Sequence, residues 1–137
     1  MAERMTVRDL MSANVATVAR RDTVEIADGV MTMGNIRHLP VLDGTEVVGV
    51  LSQRDLFRSA LGAALAFGIQ RPQEIMRMLE VGDVMTAPPV TIGPEAPVQE
   101  AARAMEQKRI GCLPVVEGGR LVGILTGADI LRYATSH

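Results

Sequence analysis

The chain repeats itself without a gap: laid on itself, residues 7–59 lie over 81–133 with no insertion. About a third of the aligned pairs are identical. They include Asp9 with Asp83, Met11 with Met85, Thr17 with Thr91, Leu39-Pro40-Val41 with Leu113-Pro114-Val115, Gly49 with Gly123 and Asp55 with Asp129. Agreement of that length is duplication, and it restricts the 137 residues to two copies of one small unit. A unit of about 55 residues rarely buries enough surface alone, and one short sheet with two amphipathic helices leaves an apolar sheet face uncovered, so two copies are expected to pack together about a pseudo-two-fold axis. The expected division is repeat one at 1–66, a linker with a short helix at 67–79, and repeat two at 80–137.

Each copy reads β-α-β-β-α, an α/β (α+β) unit. It opens on a short polar and apolar stretch (Thr6 to Met11; Glu80 to Met85), followed by a β-prone run, Val15 to Val18 or Val90 to Ile92. Apolar residues then recur near a period of 3.6: Val24, Ala27, Val30 and Met31 in one copy, Val98, Ala101, Ala104 and Met105 in the other. Two β-rich runs around Asp43-Gly44 and around Gly118-Gly119 predict hairpins. A second helix is expected from Gln53 through Ala66 and from Gly127 to Tyr133. Gly68 to Pro72 breaks the chain between copies, and Pro72 suits the first turn of a helix from Gln73 to Leu79.

Composition narrows the function classes. A net charge of -2 offers no basic surplus for nucleic acid, and 2% aromatic residues leave no stacking platform for single strands. The single cysteine, Cys112, cannot close an internal disulfide, and Met1 to Met5 lacks the apolar stretch of a signal peptide, so a cytoplasmic location is expected. The most apolar run, Ala60 to Ile69, is about half the roughly 20 residues a membrane helix needs, and it reads as a buried or interface helix.

The pattern resembles the cystathionine beta-synthase (CBS) domain, whose tandem pair is called a Bateman module. The resemblance is carried by Asp9-Leu10-Met11-Ser12 and Asp83-Val84-Met85-Thr86, by the two Leu-Pro-Val strands, and by Gly49 to Asp55 with Gly123 to Asp129. It covers nearly the whole chain. It implies a binding module for adenosine-containing ligands such as AMP, ADP, ATP or S-adenosylmethionine, held in clefts between the repeats, with disc-like homodimers in many members.

By that resemblance Ser52 and Asp55, and Thr126 and Asp129, contact the nucleotide. Ala16 and Val90 line an adenine slot, with Ser12 and Thr86 at its edges. A carboxylate can accept both hydrogens of a cis-diol, and hydroxyl and free N–H groups at a helix start suit phosphate. Arg37, His38 and Arg54 stand where the second copy has Gly111, Cys112 and Ala128, so the first site is expected to prefer more phosphate charge.

The same Ser/Thr-x-x-Asp segments also match a helix capping box, in which hydroxyl and carboxylate satisfy orphan backbone N–H groups. His38 has no partners at metal-ligand spacing, so no metal is assigned. Cys112 lies in an apolar run and reads as a small buried hydrophobe. Most arginines, Arg58 and Arg132 among them, read as a solvated mixed-charge surface. With no activated nucleophile or paired catalytic acids, the chain is expected to be a regulatory module and not an enzyme. It would need no cofactor, carry no fused effector domain and signal to a partner protein. The competing reading is a constitutive dimer or docking scaffold with vestigial pockets.

Overall fold

Both hairpins form where glycine permits the turn. Strand β2 (His38–Asp43) returns as β3 (Glu46–Ser52), and β4 (Cys112–Glu117) returns as β5 (Arg120–Thr126). Gly118 and Gly119 both take positive φ, as a two-residue I′ turn requires, whereas in the first hairpin only Gly44 does. Each hairpin slips register at the same place, between Val41 and Leu42 and between Val115 and Val116.

The computed structural model describes residues 5–68 and 71–136. The remaining elements are α1 (Val7–Leu10), β1 (Val18–Ala19), α2 (Val24–Gly34), α3 (Gln53–Phe67), α4 (Pro72–Met78), α5 (Val81–Val84), α6 (Val98–Lys108) and α7 (Gly127–Ser136). The fold is mixed α+β, with a sheet and helices in each repeat. The first strand is shorter than expected: two residues of β1 pair in parallel with β2, and in the second repeat only Ile92 bridges to Val115. The entry stretches, for which the sequence suggests no particular element, each wind one helical turn, α1 and α5.

Packing does not follow the repeat boundaries. Residues 16–89 form one compact unit, and residues up to Val15 together with those from Val90 form the other. The opening segment of each repeat therefore packs with the body of its duplicate. The repeats are units of sequence; the units of packing exchange their first segments.

The exchange is visible in each core. In residues 16–89, Val81 of α5 joins Val24, Ala27 and Met31 of α2 with Leu39, Val41 and Leu51 of the hairpin. In the other unit Val7 of α1 joins Ala101, Met105, Leu113, Val115 and Leu125. Burying each of the Val, Leu and Met side chains among them contributes about 1.5–3 kcal/mol. The apolar positions at helical spacing are thus the ones that turn inward.

The entry segment is also hydrogen-bonded in place. Thr86 exchanges two backbone bonds with Val50, at 2.9 and 3.0 Å, and Ser12 does the same with Ile124, both at 2.9 Å. A Cβ on Gly49 would meet the Met85 Sδ at 2.5 Å and the Thr86 carbonyl oxygen at 2.9 Å. On Gly123 it would meet the Met11 Sδ and the Ser12 carbonyl oxygen at the same distances. Close backbone approach explains why both copies carry glycine here.

The stretch 67–79, a linker by composition, is partly structural. Ile75 of α4 is buried, Met76 packs on the core of residues 16–89, and Arg77 pairs with Glu25 of α2 at 3.0 Å. Ile69 and Gln70, and the first four residues used to judge a signal peptide, lie outside the described residues. The run from Ala60 is not a buried helix: on α3 only Leu56 is buried, while Phe57, Leu61 and Leu65 are 68%, 54% and 81% exposed.

Candidate functional site

At the junction of β3 and α3, strand pairing delivers a set of polar side chains to one turn. The hairpin register sets His38 opposite Ser52, and Ser52 is the N-cap of α3. Its Oγ accepts from the Asp55 backbone N–H at 3.0 Å, and the Asp55 Oδ2 accepts from the Ser52 N–H at 3.0 Å. This is a complete capping box, which satisfies two orphan donors of the helix start. The backbone pairing of Thr86 with Val50 then brings the Thr86 hydroxyl to Asp55, to whose Oδ2 it donates at 3.3 Å.

Two polar atoms of the capping box itself remain unused. Among the described residues the Asp55 Oδ1 accepts no bond and the Ser52 hydroxyl donates none. Arg37 and Arg54 flank the turn, both exposed and neither in an ion pair among the described residues; the Arg37 carbonyl accepts from the Gln53 N–H at 2.8 Å. Burial lowers the pKa of His38 from its ordinary value, with Asp55 opposing and Arg37 adding to the shift. The imidazole is therefore neutral at pH 7, a donor at one nitrogen and an acceptor at the other.

The duplicate turn, where β5 meets α7, is closed. The Asp129 Oδ2 accepts from the Thr126 N–H at 2.8 Å and from the Thr126 hydroxyl at 3.0 Å, while the Thr126 Oγ1 accepts from the Asp129 N–H at 3.3 Å. The other oxygen, Oδ1, accepts from Arg132 Nη2 in an ion pair. Asp129 is only 5% exposed. Cys112 sits opposite Thr126 and is buried, which pushes its thiol up to about 12, so it stays protonated and unreactive at neutral pH.

The expected site residues therefore divide by packing unit. Arg37, His38, Ser52, Arg54, Asp55 and Thr86 lie about the first turn, and Cys112, Thr126 and Asp129 about the second. Ser12 reaches the second sheet through its backbone, but its side chain makes no bond to Asp129. Ala16 is exposed two residues before β1, and Val90 packs partly buried against the core that contains Leu113. Both hydroxyl and carboxylate pairs cap helices, so the capping reading holds at each turn. Arg132 is exposed, as expected of a surface arginine, yet it pairs with Asp129; the sequence could not separate it from Arg58, which stands in the same register and makes no bond to Asp55.

Among the described residues no group of His, Cys, Asp or Glu is gathered so as to hold a metal ion. No helix there is long and apolar enough to cross a membrane.

A duplicated α+β unit with paired helix-capping turns defines a tandem-repeat module. The CBS domain model matches residues 7–62 and 81–136, and the chain belongs to that family. It is 36% identical over 137 residues to an inosine-5′-monophosphate dehydrogenase of Korarchaeum cryptofilum, a match that spans 99% of this chain and 24% of that enzyme. It is 32% identical over 130 residues to a CBS domain-containing protein of Dictyostelium discoideum, spanning 93% of this chain and 90% of that protein. The CBS domain pair of protein MJ0100, solved in complex with 5′-methylthioadenosine and S-adenosyl-L-methionine, shares the fold with a TM-score of 0.79. That pair is 27% identical, over 98% of both chains.

Proposed function

We propose that the chain is a regulatory ligand-sensing module that binds an adenosine-containing ligand at the turn between β3 and α3. The observation that carries the reading is the convergence of His38, Ser52, Asp55 and Thr86 from separate segments on one turn that keeps a carboxylate oxygen and a hydroxyl proton unused. The Asp55 Oδ1 suits a ribose hydroxyl, and the Ser52 hydroxyl suits a phosphate or ring nitrogen. The complex of the MJ0100 pair with two adenosine compounds supports the ligand class. Arg37 and Arg54 favour AMP, ADP or ATP over S-adenosylmethionine, whose sulfonium carries positive charge.

In this reading the module performs no chemistry of its own and passes its bound state to an effector protein in the cytoplasm. Isothermal calorimetry with AMP, ADP, ATP and S-adenosylmethionine tests it. Heats that saturate with AMP, and that weaken about tenfold or more in Asp55→Ala, are expected for a ribose bonded to that carboxylate. Absence of heat and of thermal shift with all four compounds overturns the reading.

One observation favours a second reading, a homodimer or docking scaffold. Phe57, Leu61 and Leu65 repeat every fourth residue along the exposed side of α3, an apolar stripe that a soluble surface rarely leaves bare. Sedimentation that stays dimeric on dilution, unaffected by any of the four compounds, would favour the scaffold over the sensor.

A further inference from the structure

The two turns share their cap but differ in what completes the carboxylate. We infer that Arg132 closes the turn between β5 and α7 against ligand, so that each chain takes up one nucleoside, at Ser52 to Asp55. The inference rests on the ligand class proposed above and adds which of the duplicated turns is receptive, and why.

Three observations carry it. Both oxygens of Asp129 are bonded within the fold, Oδ2 by Thr126 and Oδ1 by Arg132, whereas the Asp55 Oδ1 accepts nothing among the described residues. The Thr126 hydroxyl donates to Asp129, whereas at the first turn the donation comes from Thr86 and leaves the Ser52 hydroxyl free to donate elsewhere. The cations Arg37 and Arg54 are replaced at the second turn by Gly111 and Ala128, which removes the countercharge for phosphate.

The energetics favour closure. A carboxylate as buried as Asp129 needs a partner charge, and a neutral sugar hydroxyl that displaced the guanidinium would leave the ion pair broken in a poorly solvated place. Asp55 is half-buried and has no arginine partner among the described residues, so a ribose adds a bond there and breaks no ion pair.

Calorimetric titration of the full chain with AMP, and separately with S-adenosylmethionine, tests the inference through stoichiometry. One site per chain is expected in the wild type, the same single site weakened about tenfold or more in Asp55→Ala, and a second site in Arg132→Met. Two sites in the wild type, or a site of undiminished affinity in Asp55→Ala, overturns the inference and leaves the ligand class standing. No binding by the wild type overturns the ligand class and the inference together. Should Arg132→Met fail to fold by circular dichroism, the wild-type stoichiometry and the Asp55→Ala affinity decide alone.

Discussion

In residues 16–89 the capping aspartate keeps one oxygen unpaired among the described residues, while in the other unit its duplicate is buried with both oxygens bonded. A second pair of sites, at the far ends of the hairpins, diverges in another way. Arg8 of α1 bonds Glu95 and Glu117, each at 2.9 Å, whereas in residues 16–89 the acid equivalent to Glu117, Asp43, pairs with Arg20 at 3.6 Å. The register partner of Arg8 is Gly82, and a Cβ there would come within 2.8 Å of the Arg20 Cγ. Each unit thus holds one arginine beside the same acidic strand end but draws it from a different chain segment. At the strand end the duplicates keep the charge but not its source, whereas at the capping turn only one of them pairs its aspartate with an arginine.

The largest effect is expected where the units are alike. Gly49→Ala and Gly123→Ala each press a methyl group against a methionine sulfur and a backbone carbonyl that is locked in a β-bridge. A side chain could yield, but the carbonyl cannot without losing its bonds. Each substitution should cost about 2–3 kcal/mol in urea denaturation. Unequal losses would show that one entry segment is held less firmly than its geometry implies.

That pairing also marks the limit of what the sequence reveals. Helix faces and hairpins were legible because their signals are local: apolar spacing in α2 and α6, and Gly44 or Gly118 between two β-rich runs. The exchange of entry segments was not. Met11 and Met85 are the same residue, as are Gly49 and Gly123, so the pairing of Met11 with Gly123 reads no differently from a pairing with Gly49. The candidate turns were legible as duplicated Ser/Thr-x-x-Asp motifs, but their difference was not. Arg58 and Arg132 share one register position, and only tertiary packing directs the second of them to its aspartate.

The next contrast should separate the units. Arg132→Met removes the partner of a buried carboxylate and is expected to cost about 2 kcal/mol, below the usual range for a buried pair because the arginine is itself exposed. Arg58→Met touches an exposed side chain that makes no bond to Asp55 and should stay within about 0.5 kcal/mol. Paired denaturation curves measure both, and equal losses would erase the distinction between the turns.

A smaller difference is expected between Arg8→Gln and Arg20→Gln. Arg8 makes two short bonds and Arg20 one long contact, all among exposed side chains. The Arg8 variant should be the less stable of the two at low salt. The gap should close at 1 M salt, where charges are screened over about 3 Å. A gap that persists would assign the Arg8 effect to packing of its aliphatic stem.

The smallest effect distinguishes His38 from its counterpart Cys112. Burial holds the folded pKa of His38 below its ordinary 6.5, so between the two values the unfolded chain binds more proton than the folded one. Stability then rises with pH across that interval. Its contribution is complete above 6.5 and is lost as pH falls toward the lowered value. Cys112, pushed up to about 12, titrates far above this window and leaves the second hairpin unaffected by it. Denaturation of the wild type and of His38→Gln at pH 7.5 and 5.5 isolates the histidine, since all other groups are common to both. The wild type should lose more stability on acidification than the variant. An equal loss would mean that Asp55, which opposes the shift, offsets the burial of the ring.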